Sequence, residues 1–247
     1  METILSLFPG IGMLDKGFEA NGFCVVRGPD LIFGGDVRKF HAPAGKFEGV
    51  IGGPPCQDFS KARRSAPTGN GLEMIDEFKR IIQEAQPVWW LAENVPCVPD
   101  IKIEGYNWQR LDISPRAFGA KQLRNRHIQF GAKDGGVLTL ERYHAAPDTA
   151  RTVTTRDRRP INTILELQGL PADFDIPAFS RVAMRRAIGN GVHLAVSNAL
   201  ALAVTHRGLN LEQKLCACSC GRPVTHRQVT ATGACRKRIY DRKHRKS

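Results

Sequence analysis

The chain has 247 residues, with 36 Lys/Arg against 24 Asp/Glu and a formal charge of +12. That length suits one α/β domain with a small appendage, and the charge suits a polyanionic partner such as nucleic acid. No stretch has the length and apolar purity of a transmembrane span, and Thr3–Phe8 reads as a strand with no basic region and cleavage site before it, so the expectation is a cytoplasmic protein without a membrane partner.

Thr3–Phe8 leads into a glycine turn, Phe8-Pro9-Gly10-Ile11-Gly12, and then a helix over Met13–Asn21. Such a turn lets a ligand approach the backbone and aims a helix N-terminus at it. A lone Gly-x-Gly is common and carries little alone. Gly22–Val26 reads as a second strand, and residues 28–45, rich in Gly and Pro, are too short for an ordinary helical crossover. Val50-Ile51 then runs into Gly52-Gly53-Pro54-Pro55-Cys56-Gln57, and Leu72–Ala85 has helical spacing, with Leu72, Ile75, Phe78, Ile81 and Ile82 on one face. Val88–Ala92 is a further strand, ending in Glu93-Asn94-Val95. Strand–helix–strand crossovers are right-handed and join nearby parallel strands. Cys56 and Glu93 are therefore expected about one strand spacing apart, roughly 5 Å, at the carboxyl edge where open α/β sheets bind ligands.

Most lone cysteines are packing residues, and Cys24 and Cys97 read as structural or incidental. Cys56 differs because it lies beyond its strand, behind two prolines that fix the backbone. On these residues alone it stands equally as a packing thiol and as a nucleophile with Glu93 as acid–base partner. A free reactive thiol also argues for a reducing compartment.

Leu194–Val204 reads as a helix closing a domain of residues 1–207. Residues 208–247 read as a separate small module. Four of the seven cysteines, Cys216, Cys218, Cys220 and Cys235, fall there, with His226 between them. Zinc takes four N/S ligands; Cys218, Cys220 and Cys235 with either Cys216 or His226 could supply them, although Cys-x-Cys is tighter than the usual gap. The alternative is a metal-free tail. Residues 236–247 carry seven Lys/Arg and one Asp, which reads as a solvated tail or as a phosphate-contacting arm, the latter favoured for a nucleic-acid enzyme.

Taken together, Gly53-Pro54-Pro55-Cys56-Gln57 and Glu93-Asn94-Val95 resemble the nucleophile and glutamate motifs of the cytosine-5 DNA methyltransferases. Leu7-Phe8-Pro9-Gly10-Ile11-Gly12 resembles the cofactor turn of that family. Gln122-Leu123-Arg124-Asn125-Arg126 resembles its Gln-x-Arg-x-Arg motif, expected on a strand. Arg151-Thr152-Val153-Thr154 with Leu167-Gln168-Gly169-Leu170-Pro171, and Ile188-Gly189-Asn190-Gly191-Val192, resemble its late motifs. Six motifs in family order across residues 3–204 are specific where any one is weak.

The resemblance implies a Rossmann-like, S-adenosylmethionine-dependent methyltransferase: a mostly parallel sheet with helices on both faces, plus the Cys-rich basic C-terminal module. It implies Cys56 as nucleophile, Glu93 as its partner, and Arg126 and Arg124 on the O2 side of the base. It implies a cofactor pocket of Phe8, Gly10, Gly12, Pro55, Asp36 for adenine and Asn190 near the amino-acid end. The family's ribose-binding acid has no clean match, so Asp30 is the candidate, and Ser6 replaces an acid often found before Leu-Phe. The Gln57–Gly71 segment, with Lys61, Arg63 and Arg64, would be the loop that closes over a flipped base. Residues 131–150, including Tyr143 and His144, stand where the family inserts a recognition domain, and are too few for one. The implied activity is DNA cytosine-5 methylation by a monomer. The alternatives are an RNA cytosine-5 methyltransferase and a non-catalytic nucleic-acid-binding relative, the latter disfavoured by the intact Cys56, Glu93, Arg124 and Arg126.

Overall fold

The structure, a computed structural model, describes residues 1–60, 66–141, 148–207, 236, 237 and 240. The chain divides into two compact units, Met1–His206 and Arg207–Ser247. The first holds β1 (Thr3–Leu7), α1 (Met13–Ala20), β2 (Cys24–Arg27), β3 (Gly49–Gly52), α2 (Asn70–Ala85), β4 (Trp89–Asn94), β5 (Gln109–Ile113), β6 (Arg126–Ala132), α3 (Ile161–Gln168), α4 (Arg181–Asn190) and α5 (Leu194–Thr205).

The six strands form one sheet in the order β2-β1-β3-β4-β6-β5. β2, β1, β3 and β4 are mutually parallel, and β6 and β5 run antiparallel. β4 is central, and all its residues are buried. Its alternating side chains go to opposite faces. Trp89 and Leu91 join Ile4, Ile51 and Phe130 beneath α1 and α5, while Trp90 joins Leu5, Leu7 and Val50 beneath α2. A third cluster, with Val153, Ile164, Met184 and Ile188, packs α3 and α4 against Met13. Helices thus cover both faces of a largely parallel sheet.

Three expectations change in detail. Leu72 is not on the buried face of α2: it is 53% exposed, and Gly71, Met74, Ile75, Phe78, Ile81, Ile82 and Ala85 are buried instead. Each helical residue turns about 100° from the last, so Leu72 sits well round from the Gly71–Ile75–Ile82 stripe. The Gln-x-Arg-x-Arg motif is not a strand: only Arg126 enters β6, and Gln122 makes an isolated bridge to Ala150. The edge strand β5 corresponds to no sequence pattern noted above. The 28–45 segment does lack a helical crossover, containing only short 3-10 turns at Leu31–Phe33 and Val37–Lys39.

Among the described residues, no single helix is long and apolar enough to cross a membrane, and no group of three His, Cys, Asp or Glu is placed to hold a metal. Cys216, Cys218, Cys220, Cys235 and His226 lie outside the described residues, as do Lys61, Arg63, Arg64, Tyr143, His144 and the tail arginines beyond Lys237.

Candidate active site

β1, β3 and β4 end at one level. Leu7 pairs with Gly52 and Gly52 with Ala92, so the chain leaves β3 beside Glu93. A cavity of about 330 Å³ opens at this edge. It brings together nine residues singled out from the sequence: Phe8, Gly10, Asp30, Asp36, Pro55, Cys56, Glu93, Arg126 and Asn190. Gly12 and Arg124 do not line it.

Gly12 instead begins α1 in the left-handed conformation at φ 74°, closed by Gly12 N donating to Pro9 O. Phe8 is also left-handed, at φ 54°, where a bulky side chain is strained. Such strain concentrates at functional sites. Asp30 holds this turn. Gly10 N donates to Asp30 Oδ2 at 2.8 Å and Ile32 N to Oδ1 at 2.9 Å, so both carboxylate oxygens already serve backbone amides. Asp36 is engaged by Arg38, whose Nε and Nη2 each donate at 2.9 Å. That partner holds the Asp36 carboxyl below its ordinary value. The carboxylate missing at Ser6 reappears on α1: Ser6 Oγ donates to buried Asp15 at 2.6 Å, and Arg27 Nε pairs with the same side chain.

Cys56 is partly buried, at the head of a short 3-10 turn over Gln57–Phe59. Burial pushes its thiol pKa up, and the Glu93 charge adds to this, while Arg126 and Arg124 pull the other way. At neutral pH the resting sulfur is therefore protonated. Glu93 Oε1 lies 2.7 Å from Arg126 Nε, both side chains nearly buried. Yet Oε1 has no hydrogen-bond partner: the guanidinium approaches closely but off the donor line, leaving an ion pair with a free acceptor. Asn94, not singled out from the sequence as a site residue, donates from Nδ2 to Pro54 O at 2.9 Å. It ties the end of β4 to the turn carrying Cys56.

Arg124 behaves differently from Arg126. It is 2% exposed, and its guanidinium donates to Val153 O at 2.6 Å, Gly189 O at 2.9 Å and Gly191 O at 3.0 Å. Burial, and then the Arg126 charge, lower its pKa. Arg124 thus ties the late motifs together from outside the cavity lining. Gln122 acts similarly, donating to Gln168 Oε1 at 2.9 Å and accepting from Val153 N at 3.1 Å. His193 caps α5, its Nδ1 accepting from Ala195 N. Burial first, then Arg124, press its pKa down to about 4.

The glycine turn, the cavity at the carboxyl edge and the sheet ending in antiparallel β6 and β5 define a Rossmann-like α/β fold. Solved structures agree. A DNA modification methyltransferase encoded within an E. coli prophage superposes with a TM-score of 0.64, at 16% identity, over 84% of this chain and 99% of that one. An Entamoeba histolytica methyltransferase does so at 0.60, with 12% identity, over 81% and 96%. In sequence, residues 33–143 match the family model for C-5 cytosine-specific DNA methylase. The Type II methyltransferase M.HgiDI of Herpetosiphon aurantiacus is 29% identical over 64% of this chain and 60% of its own length. M.FnuDI of Fusobacterium nucleatum is 34% identical over 56% and 49%. By these comparisons the chain is similar, over part of its length, to bacterial Type II methyltransferases and to the C-5 cytosine-specific DNA methylase model. It spans about half the length of the curated relatives it matches.

Proposed function

We propose that this protein transfers a methyl group to C5 of cytosine in DNA. The observation that carries the reading is the convergence of Cys56 and the Glu93–Arg126 pair on one cavity wall. The cavity's size falls within the range of small-ligand sites. Its wall offers apolar side chains from Phe8, Ile11 and Ile32 beside backbone at Gly10, where even an added Cβ would meet nothing within 4 Å. These residues fit S-adenosylmethionine, with Asp36 and Asn190 as polar contacts. When bound, that cofactor supplies the methyl group as an electrophilic sulfonium.

The chain's residues do the rest. Cytosine C5 is too electron-poor to attack directly, so Cys56 gives up its thiol proton to a base and the resulting thiolate adds to C6, turning C5 into an enamine-like nucleophile. The free Glu93 acceptor takes a hydrogen bond from the exocyclic amino group of the base and holds the ring as charge builds on it. Arg126 holds that carboxylate in place. After transfer the C5 proton leaves to a base and the Cys56–C6 bond breaks. The base must be flipped into the cavity to be reached.

Bisulfite sequencing of host DNA after expression tests this. Conversion-resistant cytosines at one short motif are expected; fully converted DNA from cells containing folded protein would overturn the reading. Four cysteines within residues 216–235 suggest a structural zinc, despite a Cys-x-Cys gap tighter than usual. Metal analysis should find about one zinc per chain, lost in Cys218→Ala; protein purified without chelator and free of zinc would refute it.

A further inference from the structure

The loop Arg151–Arg159 holds four arginines and one aspartate. Only one arginine is spent internally on that aspartate. Arg159 pairs bidentately with Asp157 through Nε and Nη2, and also donates to Arg151 O and Thr152 O. Its own carbonyl accepts from Arg185 on α4. The loop is fastened at other points too. Thr152 Oγ donates to Leu123 O, and Val153 is fully buried with its carbonyl taken by Arg124. Gly189 lies so close beneath it that an added Cβ would fall 2.5 Å from the Thr154 carbonyl. Arg151, Arg156 and Arg158 are exposed, and no ion pair engages them among the described residues. A pinned backbone therefore presents three free guanidinium groups. The loop adjoins the cavity, because the Arg124 side chain that holds Val153 also holds Gly191, which lines it.

We propose that Arg151, Arg156 and Arg158 form a phosphate-binding surface for the duplex DNA backbone, resting on the function proposed above. Guanidinium groups bind phosphate oxygens in a bidentate manner, and a braced loop spares the cost of ordering the backbone that carries them. Such contacts position the duplex without reading its sequence. Residues 131–150 leave little chain for an inserted domain, so a surface beside the cavity takes over part of the grip.

The test is a salt titration of duplex binding by the full chain, comparing wild type with triple Arg→Gln and triple Arg→Lys variants at 151, 156 and 158. Each lost phosphate contact lowers the slope of log K against log salt by about one. The Gln variant should lose about two to three units of slope on every duplex sequence, and the Lys variant should recover most of it. Melting temperature and S-adenosylmethionine binding should stay unchanged in both. An unchanged slope in the Gln variant would overturn the surface while leaving the proposed function intact. A slope change on structured RNA but not on duplex DNA would also overturn it. A wild type that fails to bind duplex DNA would overturn the surface and the DNA reading together.

Discussion

The carboxyl edge of β1, β3 and β4 and the region that joins Gln122–Arg126 to α3 and α4 use similar polar residues for opposite ends. At the sheet edge, Cys56, Glu93 and Arg126 keep reactive atoms turned to a cavity, and Glu93 Oε1 lacks a hydrogen bond. In the second region, Gln122, Gln168 and the terminal nitrogens of Arg124 go to carbonyls and to one another, while Arg124 Nε is buried without a hydrogen bond. Arg124 and Arg126 are two positions apart, yet one ties carbonyls together and the other lines the cavity. A motif's residue types therefore do not fix their roles. What separates them is whether the fold sets the side chain at the cavity or among backbone carbonyls.

The comparison can be broken at its strongest point first. Cys56→Ser should abolish methyl transfer while cofactor binding survives, since serine is a far weaker nucleophile at neutral pH; measurable turnover would remove Cys56 from the chemistry. Glu93→Gln should lower turnover by roughly 10²–10⁴-fold at nearly unchanged melting temperature, and turnover near that of wild type would place Glu93 outside the mechanism. Arg124→Met should act on stability instead. It strands the buried Val153 and Gly189 carbonyls and should cost about 3 kcal/mol in urea unfolding, whereas Arg126→Gln should lower turnover with little change in stability. If the two variants exchange these effects, the assignment of roles is reversed.

His193 sharpens the same contrast at smaller scale. Its folded pKa of about 4 lies below the unfolded value of about 6.5. Between these values the unfolded chain binds more protons, so stability is full above about pH 6.5 and falls as pH drops toward 4, by about 3 kcal/mol at most. His193→Asn keeps an acceptor for the α5 cap and should flatten that stretch of the stability–pH curve. Parallel curves for the two proteins would show that His193 does not titrate in this window.

Much of the sheet edge was legible in the sequence because it depends on local order. The apolar runs before Gly52 and Glu93 predict neighbouring parallel strands, and the register pairs Gly52 with Ala92 just before Glu93, with Cys56 four residues on in the cavity lining. The second region was less legible. The carbonyls that Arg124 meets are 29, 65 and 67 residues away, and no periodicity announces such partners. Asp30 was readable as a carboxylate near the cofactor turn, but its tie to the Gly10 amide depends on how two loops meet. Leu72 misled because apolar spacing of three or four fits more than one helical face. β5 was hidden because an edge strand with alternating exposure carries a weak apolar signal.

The central claim is that Cys56 adds covalently to the target base, and trapping that adduct tests it most directly. Duplex DNA with every cytosine replaced by 5-fluorocytosine is incubated with the protein and S-adenosylmethionine, then the complex is denatured and mapped by peptide mass spectrometry. Fluorine at C5 cannot leave as a proton does, so the adduct should persist and map to Cys56. The thiol is protonated at rest, so trapping should speed up as pH rises above neutral. An adduct that survives in Cys56→Ser, or its absence from wild-type protein that binds both DNA and cofactor, would contradict the account.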